Sequence, residues 1–406
     1  FVGLETAENL KAAGKNVSVV EGADQVMAPF DYDMAQILHK EIVDQGIHLY
    51  LSSMVTKITE QAVIAQRNGQ TVEIPAEAVI LSIGVRPETG LAVKAGLELG
   101  QSGSIRVNHN YQTNDPDIYA VGDAVETYSR MAHHYGSFAQ AGPAQRQARA
   151  AADHICGQNH SNKGYIATSC LRVFEQNAAC TGLNEKTLKK EGIPYDVAYV
   201  LPSDKVGIMP GSSYMAFKLI FEVPTGRVLG AQAIGRGDAV RRIDVIATLI
   251  TMGGTLEDLK EMELCYSPVY GTAKDVVNMA ALVGLNLLYG RYEQVRVDQV
   301  RQLVESGAYI IDVREKAEYE AGHLKGAVNI PLTEFRSRIN EVPKDVPVYL
   351  HCRTSQRSYY ALCELLGSGW RNAKNISGSF LGICLYEYFN DQDTGREPIV
   401  TKYNFK

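Results

Sequence analysis

The sequence predicts an α/β protein of several units. A parallel-sheet domain comes first, an α+β unit lies in the middle, and a second α/β unit closes the chain. Three observations predict this. Residues 1–85 alternate helical and strand patterns, and residues 163–290 carry alternating strands followed by helices. Near the C-terminus a buried-strand pattern runs into a cysteine, a short polar loop and a helix. A length of 406 residues suits two to four domains, and 45% hydrophobic with 21% charged residues is ample for large cores.

Taken in order, residues 4–13 read as a helix and "NVSVV" as a strand. "MAQILHKEIVDQG" reads as a second helix, followed by short strands of which the last is "AVILSIGVRP". That alternation fits crossovers on a parallel sheet. Residues 88–160 are a loop-rich return holding "TNDPDIYAVGDAVE" and the helix "GPAQRQARAAADHI". The strands "YMAFKLIFEV" and "RVLGAQAIG" then precede two helices, and the charged linker "RYEQVRVDQ" leads into the last unit. The expected boundaries are 1–85, 86–162, 163–290 and 297–392.

A net charge of −6 argues against nucleic acid or an anionic membrane as the main partner. The apolar stretch "MAALVGLNLLYG" is too short to span a bilayer and reads as a packed helix. Seven cysteines with no CxxC and no dense spacing suggest free thiols in a reducing compartment, hence a cytoplasmic location.

The strand "VSVV" ends on Glu21, where a dinucleotide fold holds the adenine ribose; a carboxylate there accepts from the 2′-OH and repels a 2′-phosphate. Gly3, with a helix after it, fits the last glycine of G-x-G-x-x-G. These residues alone equally suit a helix with an interior glycine and an exposed glutamate at a strand end. In "PDIYAVGDAVE" an expected buried strand at 118–121 runs into Gly122 and then Asp123, a placement suited to a polyol hydroxyl and also found in plain strand–turn connections.

In this order and spacing, "FVGLE", "VVEGADQVM", "LSIGVRPET", "TNDPDIYAVGDAVE" and "AGPAQRQAR" resemble the pyridine-nucleotide-disulfide oxidoreductases. The resemblance implies a two-dinucleotide-binding-domain flavoprotein, of which this sequence holds a remnant. It places Gly3, Glu21 and Gly84 at an NADH site, Glu5 near the nicotinamide–flavin junction, and Gly122 and Asp123 at the FAD ribitol. The helix from Gly142 would aim its N-terminus at the flavin pyrimidine. It also implies an FAD-binding segment of roughly 150 residues ahead of Phe1, the usual size of one such domain, carrying the redox-active cysteine.

"MELCYSPVYGTAKDVVNMAALV" narrows the resemblance to coenzyme A-disulfide reductases and related persulfide reductases. Residues 163–290 are then a dimerisation domain giving a homodimer. Tyr266 matches a tyrosine near the partner subunit's redox cysteine, where a phenol can bond a thiolate or protonate a leaving sulfur. A half-buried interface tyrosine is the plainer alternative. The companion tyrosine expected near "VGIMPGSS" is replaced by Ile208 or Met209, a departure that bears on coenzyme A disulfide as substrate. Cys170 and Cys180, in strand-like runs, are expected in the core.

"VYLHCRTSQRSYYALCELL" is a strand ending in Cys352, a polar loop and a helix. Loop N–H groups, the helix N-terminus, Arg353 and Arg357 suit a thiolate or persulfide. With "YIIDVREKAEYEAGHLKGAVNIPL" and "NAKNISGSF", the stretch resembles the rhodanese, or sulfurtransferase, domain. The six-residue loop 352–357 has the length associated with sulfur rather than phosphate, and Asp312 and Arg314 would order it. Cys363 and Cys384 follow the helical apolar pattern and are expected in the core.

Together these resemblances imply an FAD-dependent reductase that uses NADH rather than NADPH, acts on coenzyme A disulfide or persulfide, and carries a fused sulfurtransferase domain. The alternative is an NADH oxidase, peroxidase-like or protein-disulfide flavoprotein whose rhodanese unit is a sulfur carrier or redox sensor. No metal is implied.

Overall fold

Two units divide the chain: Phe1–Ile80 together with Ser169–Lys406, and Leu81–Thr168. The computed structural model describes residues 1–158 and 163–405. The expected boundary at residue 162, and His160 before it, lie outside the described residues.

The chain begins with helix α1 (Val2–Ala12), which buries Leu4 and Ala7. Strand β1 (Ser18–Val20) pairs in parallel with β2 (His48–Tyr50), joined by α2 (Tyr32–Asp44). The α2 residues Met34, Ile37, Leu38 and Ile42 recur at helical spacing and are buried. Three antiparallel strands follow, β3 (Ser53–Ile58), β4 (Ala62–Arg67) and β5 (Gln70–Pro75). Asn68 and Gly69, both at positive φ, make the two-residue turn between β4 and β5.

The last strand expected in this region, "AVILSIGVRP", does not form. Residues 78–89 carry no regular structure, and Ile83 and Val85 are 91% and 79% exposed. Strand propensity makes a strand only where a neighbour completes the ladder, and among the described residues none pairs with this segment.

The second unit contains α3 (Gly90–Lys94), a hairpin of β6 (Glu126–Tyr128) and β7 (Tyr135–Ser137), and α4 (Ala141–Ile155). Val107, Tyr111, Val125, Ala150 and Ala151 form its core. The expected buried strand at 118–121 is reduced to one bridge between Tyr119 and Gln112, and Val121 is exposed. A small core and a single bridge cannot hold a full ladder there.

Strands β8 (Ser169–Val173), β9 (Gln176–Gly182), β10 (Tyr195–Val200), β11 (Met215–Glu222) and β12 (Val228–Gly235) form an antiparallel sheet in the order β10-β11-β12-β9-β8, with α5 (Glu185–Glu191) between β9 and β10. Helices α6 (Ala239–Met252), α7 (Leu256–Glu261) and α8 (Val276–Leu288) follow, α8 being the apolar stretch read as a packed helix. Cys180 is buried, but Cys170 is exposed. Edge strand β8 turns Leu171 and Val173 inward, so the period-two alternation sends Cys170 outward.

The last region is a parallel sheet of β13 (Gln294–Val295), β14 (Tyr309–Asp312), β15 (Val328–Asn329), β16 (Val348–His351) and β17 (Ala373–Ile376), in the order β13-β17-β16-β14-β15. Helices α9 (Val297–Glu305), α10 (Lys316–Glu320), α11 (Leu332–Phe335), α12 (Gln356–Gly367) and α13 (Ser379–Thr394) connect and cover it. Two apolar clusters, one around Ile311, Leu350 and Leu362 and one around Ile310, Phe380 and Ile383, fill the space between sheet and helices. Cys384 is buried in the second. Cys363 is exposed, because the buried stripe of α12 runs Ser358, Ala361, Leu362, Leu365 and position 363 lies off it.

One core joins three regions of this unit. Met34 and Leu38 of α2, Leu171 and Ile234 of the antiparallel sheet, and Leu381 and Phe389 of α13 share a cluster. Beside it Lys218, 1% exposed, donates to Asp33 at 2.7 Å and Glu185 at 2.5 Å and lies 3.1 Å from Asp31. Arg296 closes the group, 2.6 Å from Glu185 and 3.3 Å from Asp196. Burial raises the Asp31 carboxyl, whereas for Glu185 the pull of Lys218 and Arg296 overcomes burial and holds it at about 2.

Candidate active site

Strand β16 ends at His351 between two strands of the parallel sheet, which delivers Cys352 to the C-terminal edge, just ahead of α12. The thiol is 1% exposed. The Ser358 hydroxyl donates to Sγ at 3.6 Å, and the Ser379 Oγ stands 4.0 Å from it. The N-terminus of α13 holds the loop from behind. The Phe380 N–H donates to the Cys352 carbonyl at 3.0 Å, and the Leu381 N–H donates to the Arg353 carbonyl at 3.1 Å.

Arg357 sits in the first turn of α12, and its guanidinium makes a two-pronged pair with Glu318 at 2.6 and 2.7 Å. That pair holds the Glu318 carboxyl below its ordinary range. Arg353 points elsewhere. Its Nη1 donates to the Asn404 carbonyl at 2.9 Å, and the Tyr214 hydroxyl lies beside it. Burial lowers its pKa from the ordinary guanidinium value. The two arginines thus share a loop but not a direction.

Asp312 and Arg314 are fully buried and paired at 2.6 Å, and Arg314 also donates to the Gly322 carbonyl at 2.8 Å. Two routes lead from this pair to the sulfur loop. The Arg314 guanidinium lies over the Phe380 ring, 4.1 Å from its centre, and Phe380 bonds the Cys352 carbonyl. Asp312 stands 3.7 Å from His351 Nε2, and His351 is pushed toward its neutral form by burial. Sequence reasoning missed Glu318, Ser358, Ser379, Phe380 and His351. Glu318 and Arg357 are 39 positions apart, so no local rule pairs them; Ser358 and Ser379, 6 and 27 positions from Cys352, reach the sulfur only through the fold.

The dinucleotide-site residues are placed differently. Gly3 and Glu5 stand in the first turn of α1, with Glu5 exposed, and α1 packs on β1. Glu21 follows β1 and is half-buried. Its Oε1 accepts from the Ala23 N–H at 3.0 Å, and among the described residues Oε2 has no such bond. A carboxylate with one oxygen fixed and one open at a strand's carboxyl end fits a ribose hydroxyl. In the other unit, Gly84 and Gly122 both have positive φ, 95° and 88°, with open space where a side chain would be. The Gly122 N–H donates to Gln147 Oε1 at 2.6 Å, and Asp123 is exposed. That cradle fits close approach of a polyol. Tyr266 is 51% exposed on the segment between α7 and α8, next to exposed Cys265. Ile208, on another loop of the same domain, is 85% exposed.

Three family descriptions match the chain. Residues 1–148 match the pyridine nucleotide-disulphide oxidoreductase domain, 169–276 its dimerisation domain, and 296–385 the rhodanese-like domain. The chain belongs to the pyridine nucleotide-disulphide oxidoreductase family, in a form that carries a rhodanese-like domain. Among solved structures, reduced Bacillus anthracis CoADR-RHD is 40% identical with a TM-score of 0.89, the match covering 96% of this chain and 70% of that one. The NAD-dependent persulfide reductase from A. fulgidus is 32% identical with a TM-score of 0.88, covering 94% and 69%. A coenzyme A disulfide reductase from Staphylococcus epidermidis is 28% identical over 280 residues, 69% of this chain and 63% of that protein. The chain therefore spans less than two thirds of the length of that relative. Among the described residues, no helix is long and apolar enough to cross a membrane.

Proposed function

We propose that this chain serves an FAD-dependent, NADH-using reductase of coenzyme A disulfide or persulfide, with Cys352 as the sulfur carrier of its sulfurtransferase domain. The observation that carries the reading is a cysteine at the end of a central strand, enclosed by two hydroxyls and a helix N-terminus, on the same chain as a disulfide-reductase domain. Such a site favours sulfur as an anion, thiolate or terminal persulfide. Sulfur transfer is an exchange. The Cys352 thiolate attacks the outer sulfur of a persulfide donor, the bond inside the donor breaks, and the donor leaves as its thiolate.

In this reading Arg357 supplies positive charge at the mouth of the loop, and Arg353 stiffens the loop through the Asn404 carbonyl. Asp312 and Arg314 hold the loop through Phe380 and His351. Glu21 and the first turn of α1, with Gly3 and Glu5, hold NADH. Gly122 and Asp123 hold the FAD ribitol. When bound, FAD supplies the two-electron step between nicotinamide and thiol chemistry. Tyr266 protonates or bonds a sulfur leaving group, and residues 163–290 form a homodimer.

The test is C352S. It should abolish sulfur transfer from thiosulfate or a persulfide donor and leave binding of NADH unchanged. Persulfide found by mass spectrometry on Cys363 or Cys384, with transfer retained, would show that another cysteine carries the sulfur.

A further inference from the structure

Ser379 is fully buried, and its backbone lies at φ +49, a region glycine enters freely and serine does not. Gly378 before it is at φ +74, and a second serine of the loop, Ser355, is at φ +75. Holding a serine there costs on the order of 1 kcal/mol or more. Something in the site offsets that strain.

Three contacts identify it. The Ser379 Oγ accepts the Cys352 N–H at 3.1 Å, donates to the Ile376 carbonyl at 3.2 Å, and stands 4.0 Å from Cys352 Sγ. A hydroxyl has one proton, so the Ile376 carbonyl and the sulfur compete for it. The Ile376 carbonyl also receives the Ser355 hydroxyl at 3.0 Å, so it keeps a partner when Ser379 turns away. Ser358 is built alike. Its proton is shared between Cys352 Sγ at 3.6 Å and the Ser355 carbonyl at 3.1 Å, which is also bonded by the Tyr359 N–H. In both cases the competing carbonyl has a second donor, so redirecting the proton leaves no buried acceptor bare.

We propose that Ser379 is a positioning residue for Cys352: its hydroxyl anchors the Cys352 amide and moves its proton from the Ile376 carbonyl to the sulfur when that sulfur is anionic. The proposal rests on the reading of Cys352 as the sulfur carrier. No covalent bond changes; a thiolate or terminal persulfide gains one donor in a site closed to water.

The test uses S379G and S379A in the full chain. Cys352 ionisation is followed against pH as the ultraviolet thiolate absorbance that the matching C352S background removes, and thermal unfolding is measured on the same samples. Glycine is unstrained at this φ, but its loss of the hydroxyl leaves the buried Cys352 N–H without its acceptor, so S379G should unfold modestly below the wild-type temperature and above S379A, which keeps the strain as well. The Cys352 midpoint of S379G should rise by about one pH unit, the effect of losing one modest hydrogen bond to a charged sulfur. S379A keeps the strain and lacks the hydroxyl, and its midpoint should rise equally; should it fail to fold, S379G decides. Unchanged midpoints in both, or a rise in S379A alone, would overturn the proposal. Locating sulfane sulfur by mass spectrometry tests the carrier reading separately. Sulfur on Cys352 with an unmoved S379G midpoint sinks the role of Ser379 and leaves the carrier intact.

Discussion

The unit that holds Cys352 contains two charged clusters that balance in opposite ways. At the junction of α2, α13 and the antiparallel sheet, two cations, Lys218 and Arg296, face four carboxylates, Asp31, Asp33, Glu185 and Asp196. Around the sulfur loop, three guanidiniums, those of Arg314, Arg353 and Arg357, stand with two carboxylates, Asp312 and Glu318. The first cluster has its lysine at the centre, saturated by carboxylates, and no reactive atom. The second lies about a loop that carries a thiol and holds one guanidinium more than it has carboxylates. Three acids close together resemble a metal cage, but the lysine already fills it. Charge left unbalanced beside a nucleophile is the better sign of chemistry.

The largest expected effect breaks the junction cluster. K218M leaves three carboxylates facing one another in the interior and should cost about 3–5 kcal/mol, the usual penalty for breaking a buried pair from one side. Chemical denaturation measures it. A loss under about 1 kcal/mol would mean that water or counterions reach the cluster.

At the sulfur loop the same kind of change should act on rate rather than on stability. The Arg357–Glu318 pair is about one-third exposed on both sides, so R357A should cost ~1 kcal/mol or less in unfolding. Sulfur transfer should fall about thirtyfold, the equivalent of ~2 kcal/mol in the barrier. If R357A lowers stability and rate by matching amounts, the two clusters differ less than their charges suggest.

Acid separates the regions more gently. His39 on α2 is buried against the Phe389 ring of α13, accepts the Val26 N–H, and is lowered by burial from 6.5 to about 3. A depressed histidine pKa means that the unfolded chain takes up the proton first. The stability this neutral histidine allows is complete above pH 6.5 and is lost as pH falls from 6.5 toward 3. Glu185, depressed from 4.5 to about 2, loses its contribution below pH 4.5. Thermal unfolding between pH 7 and 4 should therefore drop in the wild type and drop less in H39Q. Equal slopes would remove His39 as the source.

The smallest effect concerns Glu21. Removing its charge with E21Q should weaken NADH binding about five- to tenfold, one hydrogen bond to a charged group, and should narrow the gap between NADH and NADPH. Fluorescence titration with both nucleotides reads it. Unchanged affinities would take Glu21 out of the ribose site.

Much of this was legible from residue order alone. The period of α2 and the strand–cysteine–loop–helix run at Cys352 are local patterns, because a helix or strand shows which face it will bury through its own spacing, whereas β11 and β12, read as alternating strands, are buried on both faces because other elements cover each side of the sheet. Local pattern failed where a neighbour had to agree. "AVILSIGVRP" is rich in strand formers yet has no partner strand, and Cys170 and Cys363 are apolar in type but lie on the outward side of an edge strand and a helix. Neither the Arg357–Glu318 pair nor the lysine among three acids can be read from spacing, since each joins residues far apart in sequence. The sequence by itself determined which cysteine ends a central strand and which residues repeat on each buried face. Only the tertiary structure decided that Arg353 turns away from Arg357 and that Ser379 stands beside the sulfur. Side-chain direction and charge pairing depend on what another segment brings to the same place, and that information exists only once the chain has closed on itself.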